Sequence, residues 1–307
     1  MPSQRPPARL HVLMATHAPY AVIIRRGPAR RVCTIGWDRK TDRFEIGQWL
    51  RGRIYEERAD LSPDGRHLIY FAANFNWNSE TRGTWTAISR APHIKAISIW
   101  AKGDTYFGGG LFLDDRTALL HGHHGDVLQL SRDIHVVQEP RTSHRKAALR
   151  GYVVPGGVER LETLDQYLSP QEHAIYEASR QQRFSSYRTF KDYRDGWRLN
   201  ENGEEDLRKW WGGCAVTKHW WLRRPQNGAN YQLRRHNTDL VIDLPAGTTW
   251  AGHDNWRDIE RPPKQSRIIW AREGRLYAAE VTRSGIGEHK MLFDFNPMTF
   301  EPIKAPY

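Results

Sequence analysis

The chain has 307 residues and a formal net charge of +11; hydrophobic residues make up 39% and aromatics 11%, including 13 Trp, which excludes a disordered chain. A body of this length buries roughly 75% of the surface its unfolded chain exposes, so its core needs no covalent staples. No apolar run approaches the ~18 residues of a membrane-spanning helix, and Cys33 and Cys214 alone make neither a disulfide framework nor a C-x-x-C motif.

At the N-terminus Arg5 and Arg9 precede "LHVLMA", a superficial mimic of a signal peptide. His11, His17 and Pro19 interrupt the run and no small-residue cleavage site follows, so the segment reads as a strand and a cytoplasmic location is expected, with no membrane partner. Next, "YAVIIRRGPARRVCTIGWD" from Tyr20 predicts a hairpin turning at "GPAR".

"DLSPDGRHLIYFAA", from Asp60, places an Asp-Gly turn before a run that is apolar on both faces. A half-solvated strand alternates, so this one is predicted to lie sandwiched between two sheets. With the alternating "TWTAIS" that follows, it makes a second hairpin over residues 67–92. "SETRGTW", from Ser79, approximates the Asp-box turn of sialidase-type propellers but lacks its aspartate. "GGG" at Gly108 to Gly110 predicts a tight bend, since no helix follows to make a phosphate loop.

"TALLHGHHGDVLQLSRD", from Thr117, predicts a third hairpin. Its turn holds the most suggestive chemical cluster, His121, His123, His124 and Asp126, which are metal-ligand types at close spacing. Equivalent turns elsewhere carry "REG" and "PQNGAN", so a polar turn is favoured over a metal site and no cofactor is expected.

Residues 140–190 form an irregular insertion, basic and rich in Pro and Gly at its start, where Arg145, Lys146 and Arg150 are candidate partner-binding residues. Ser169, Pro170 and Glu172 make a helix-start pattern that predicts a short helix over 170–183, with a degenerate hairpin as the competing reading. "KHWWLRRPQNGANYQLRRH" from Lys218 and "RIIWAREGRLYAAEVTR" from Arg267 predict two further hairpins.

The hairpins begin at residues 20, 67, 117, 218 and 267, an interval of about fifty residues with one member missing near 168. Two-strand units at this period, each joined by further strands, are predicted to pack as sheets around an axis. The expected fold is an all-β single-domain β-propeller spanning 1–307, with about six (five to seven) four-stranded blades and the Trp residues as packing pieces between them.

"LSPDGRHLIYFA" resembles the repeat of TolB-type, WD-like propellers, where Ser-Pro-Asp-Gly turns into an inner strand; "FLDDRTALLHG" from Phe112 is a weaker copy, and "IERPPKQSRIIWA" from Ile259 keeps only the pattern. The resemblance implies the fold and no activity. TolB-type proteins carry an export signal, for which this N-terminus offers no counterpart. The whole chain is also similar to a bacterial group of unknown function sharing segments such as "SETRGTWTAISRAP" and "DFNPMTFEPIKAPY".

No Walker loop, G-x-S-x-G elbow or H-E-x-x-H helix is present, and no catalytic residue is assigned. The adjacent pairs Asp114–Asp115 and Glu204–Glu205, if on strands, point to opposite faces. The function expected is therefore a non-enzymatic platform for an unidentified protein partner. One alternative is nucleic-acid binding: of 46 basic residues 36 are Arg, although they are scattered along the chain. The other is a propeller enzyme whose site is assembled from several blades.

Overall fold

The computed structural model describes residues 6–28, 30–106, 108–120, 125–138, 210–217, 219–225, 230–235, 238, 240–254 and 266–307. Over these residues the protein is all-β, with one turn of 3-10 helix at Glu56–Arg58. The described residues before 139 form one compact unit together with Pro297–Tyr307, and those from 210 to 296 form another.

The first unit opens with β1 (Arg9–Met14), β2 (Tyr20–Arg26), β3 (Arg31–Asp38) and β4 (Arg43–Arg51), an antiparallel meander in chain order. The N-terminal apolar run is thus a strand, and the hairpin from Tyr20 forms with Ile23 opposite Ile35. Then come β5 (Arg53–Ile54), β6 (Asp60–Leu61), β7 (His67–Ala73), β8 (Thr84–Arg90) and β9 (Ala96–Ala101). They are followed by β10 (Gly110–Phe112), β11 (Thr117–Leu120), β12 (Val127–Gln129) and β13 (His135–Gln138). Strands β5 to β9 and β12 make a second sheet; β10, β11 and β13 make a third.

The "HLIYFAA" run is β7, and its missing alternation is burial on both faces. Leu68, Tyr70 and Ala72 join Val22, Ile24 and Val32 of the first sheet in one core. Ile69, one residue out of phase, packs with Trp100, Phe112 and Leu120 in another, toward the third sheet. Burying a side chain of this size contributes about 1.5–3 kcal/mol, so each face of β7 anchors a separate layer. The Ser-Pro-Asp-Gly turn ahead of it is closed by its own side chains. The Ser62 hydroxyl donates to Asp64 Oδ1 at 2.6 Å and accepts from the His67 amide at 2.9 Å. Gly65 holds φ +76°, where a side chain would be strained.

The hairpin expected from Thr117 does not form. β11 pairs antiparallel with β10 and parallel with β13, while β12 leaves for the edge of the second sheet, Val127 opposite Trp100. All of β11 is buried, whereas every residue of β12 is exposed, the apolar Val127 and Leu128 included. The buried Ile134 leads into β13, which takes that place instead. Asp114 and Asp115 lie in the turn between β10 and β11 rather than on a strand. Asp114 Oδ1 accepts the Thr117 amide at 2.7 Å, and Asp115 Oδ1 accepts the Asp64 amide at 2.8 Å.

The second unit consists of two four-stranded antiparallel meanders. One is β14 (Trp210–Ala215), β15 (Trp220–Pro225), β16 (Gln232–Arg235) and β17 (Val241–Asp243). The other is β18 (Thr248–Asp254), β19 (Ser266–Arg272), β20 (Arg275–Val281) and β21 (Lys290–Asp294). The predicted hairpins from Lys218 and Arg267 are β15–β16 and β19–β20. The second turns on Glu273 and Gly274, both at positive φ, as a two-residue hairpin turn requires. Trp220, Leu222, Leu233, Ile268 and Trp270 fill the core between the two sheets. Trp37, Trp100, Trp220 and Trp270 are fully buried, in keeping with their expected role as packing pieces. The insertion 140–190, its helix at 170–183 and the missing hairpin near 168 lie outside the described residues.

Candidate functional site

Antiparallel pairing returns each strand of the first unit to the level of its neighbour, so the strand ends gather on two sides. At one end lie Tyr20 at the start of β2, Glu45 near the start of β4, His67 at the start of β7 and Arg90 at the end of β8. They line a cleft of about 1030 Å³, whose wall is completed by His93 and by Tyr307 from the C-terminal segment. Burial lowers the pKa of His67, which sits among Asp64, Arg90, Asp133 and Arg116, and burial likewise lowers that of His93 beside Glu45. Both imidazoles are therefore held neutral near pH 7. Burial, with Glu45 nearby, also raises the Tyr20 phenol and keeps it protonated. The His67 Nδ1 is buried without a hydrogen-bond partner, closed off from the cleft.

The charges around the cleft are balanced locally. Arg66 lies 3.6 Å from Asp64, and Arg90 lies 3.7 Å from Asp133. A wall of paired cations and anions, neutral imidazoles and a phenol is a hydrogen-bonding surface of mixed sign.

The C-terminal segment shows how the unit holds a peptide. Gln48, on β4, donates from Nε2 to the Ile303 carbonyl oxygen at 2.9 Å, while its Oε1 accepts the Ile94 and Lys95 amides at 2.9 and 2.8 Å. One side chain thus ties the segment to the turn between β8 and β9. Arg25 donates to the Met298 carbonyl oxygen at 3.2 Å. The Tyr307 hydroxyl accepts the Arg90 amide at 3.0 Å and donates to the Lys95 carbonyl oxygen at 2.7 Å. The Arg90 guanidinium and Lys95 ammonium stand over the Tyr307 ring at 5.0 and 5.3 Å, and His93 meets it edge-on at 6.2 Å. Such cation–ring contacts contribute about 0.5–1 kcal/mol each at exposed sites.

Of the residues singled out from sequence, Arg145, Lys146 and Arg150 lie outside the described residues, as do His121, His123 and His124. Asp126 is exposed and its carboxylate holds the Arg82 guanidinium. Among the described residues no group of three or more His, Cys, Asp and Glu is arranged to hold a metal ion. "SETRGTW" is a structural turn, with the Ser79 hydroxyl bonded to the Asn76 carbonyl oxygen at 2.6 Å. "GGG" is a tight bend with Gly108 and Gly109 at positive φ, where a Cβ on Gly109 would collide with the Arg58 carbonyl. The Cys33 thiol is free, buried and pushed up to about 12 by that burial, which leaves it inert as a nucleophile. Sequence reasoning missed Tyr20, Gln48, His67, His93 and Tyr307. They share no motif, and only strand register and the returning C-terminal segment unite them.

No protein-family model matches the chain, and a comparison with curated proteins gives no match either. Among the described residues no helix is long and apolar enough to cross a membrane.

Proposed function

We propose that the protein is a non-enzymatic interaction platform built on a β-propeller of TolB-type, WD-like blades, about six in number, and that it acts in the cytoplasm. Three four-stranded meanders, and a β7 buried between sheets on both faces, support the blade reading. The observation that carries the function is the capture of Pro297–Tyr307 along the first unit, held through its main chain by Gln48 and Arg25 and through its last ring by Arg90 and Lys95. A surface that fixes one peptide in this way offers the adjoining cleft, with its mixed charge, to a segment of a protein partner.

The test places a photo-crosslinking residue at Arg66, an exposed residue lining the cleft, and irradiates the protein in a lysate of its native host. A discrete protein adduct, competed by unlabelled wild type and lost on Arg90→Glu, is the expected result. Nucleic acid recovered at this position in place of protein would replace the platform with the Arg-rich nucleic-acid-binding alternative. A small-molecule turnover abolished by His67→Gln would favour the blade-assembled enzyme.

A further inference from the structure

The opposite end of the same strands carries a second surface that goes beyond the platform reading. Strand register places Arg31 directly across from Arg51. The Gly52 amide donates to the Arg30 carbonyl oxygen at 2.7 Å, and Arg53 lies opposite Ala73 at the end of β7. Four exposed arginines, Arg30, Arg31, Arg51 and Arg53, are thereby drawn to one corner. Among the described residues none of them has a carboxylate within ion-pair distance, and Glu56 is engaged by Arg26 at 3.2 Å.

What these guanidiniums touch is aromatic. Arg30 stands over Phe75 at 5.6 Å, Arg31 and Arg51 over Phe300 at 5.5 and 4.9 Å, and Arg53 over Tyr55 at 4.3 Å. With one face of each guanidinium against a ring, the N–H edges remain available to oxygen acceptors. Beside them Trp77, 51% exposed, meets Phe75 edge-on at 6.1 Å. The arrangement sets like charges side by side even as each finds a ring. Like charges directly opposed in an antiparallel pair repel, and Arg30 and Phe75 sit at φ 52° and 62°, a region ordinary side chains avoid. A polyanion relieves the repulsion, and unpaired bases find an open indole on which to stack.

We propose that this end binds single-stranded nucleic acid, with phosphates on Arg30, Arg31, Arg51 and Arg53 and a base on Trp77. The experiment titrates the full chain against fluorescein-labelled oligo(U) and oligo(dT) of about 12 nucleotides, read by anisotropy. Binding is expected at low salt, with a slope of log affinity on log salt near −2.8, about −0.7 for each of four phosphates. That is a loss of roughly 50-fold between about 50 and 200 mM. Arg53→Gln reduces the slope by about 0.7, and the R30Q/R31Q/R51Q/R53Q variant loses binding while its circular dichroism at the assay temperature stays that of wild type. Trp77→Ala weakens binding about 5- to 150-fold with the slope unchanged. The proposal is overturned if neither oligonucleotide binds at low salt or if the quadruple variant binds as wild type does. It is also overturned if duplex of equal length binds as tightly, or if a poly-aspartate peptide of equal charge competes as well as the oligonucleotide, which would assign the corner to an acidic protein.

Discussion

At one end of β2, β3, β4, β7 and β8, Arg66 and Arg90 each face a carboxylate, and the His67 and His93 imidazoles stay neutral; at the other, Arg30, Arg31, Arg51 and Arg53 face rings. The same strands, a few residues apart, thus end in a surface of mixed sign and a surface of one sign. The difference shows that net charge is a poor guide to partner class until register decides which charges become neighbours. A total of +11 is consistent with either end taken alone.

The largest effect expected on this comparison comes from Gln48→Ala. It removes the acceptor of two main-chain amides and the donor to Ile303, at a cost of about 1–3 kcal/mol for the unsatisfied groups. Denaturant unfolding should register the loss, and hydrogen exchange should show residues 300–307 losing protection while the sheet core keeps its own. An unaltered C-terminal segment would mean that the ring clamps alone suffice. A smaller change is expected for Arg51→Gln, because two effects oppose: relief of the repulsion with Arg31 stabilises by about 0.2–1 kcal/mol, and loss of the contact with the Phe300 ring costs about 0.5–1 kcal/mol. Salt screens the repulsion, so melts across a salt series should show the variant losing ground to wild type as salt rises.

The smallest and most diagnostic effect is that of pH. Burial lowers the pKa of His67 and His93, so the unfolded chain binds protons that the native cleft refuses. Their contribution to stability is full above the ordinary histidine value of about 6.5 and declines as pH falls below it. Urea midpoints should therefore fall between pH 8 and pH 5.5, and a His67→Gln/His93→Gln variant should flatten that decline. The Arg51→Gln increment should be the same at both pH values, because guanidinium does not titrate there. A decline that survives the double substitution would locate the sensitivity elsewhere.

Four of the five predicted hairpins were legible because strand pattern and turn chemistry are local: two-sided apolar runs and turns such as "SETRG" and "REG" carry their own geometry. The fifth failed at "VLQ". An apolar-looking strand pairs with whichever neighbour its faces suit, and β12, exposed throughout, went to the edge of another sheet. The candidate site was hardly legible at all. The His cluster drew attention as a motif, whereas Gln48 is an ordinary strand residue whose side-chain hydrogen-bonding partners Ile94, Lys95 and Ile303 lie 46, 47 and 255 positions away.

By itself the amino-acid sequence determined an all-β protein, the strands that are buried on both faces and most of the turns that join them. These follow from side-chain size, period and backbone preference, all of which act within a few residues. Only the tertiary structure decided that scattered arginines meet at one corner and that a C-terminal tyrosine closes a cleft begun by residue 20. Those neighbours are set by cross-strand register and by a returning segment, and neither leaves a local mark on the chain.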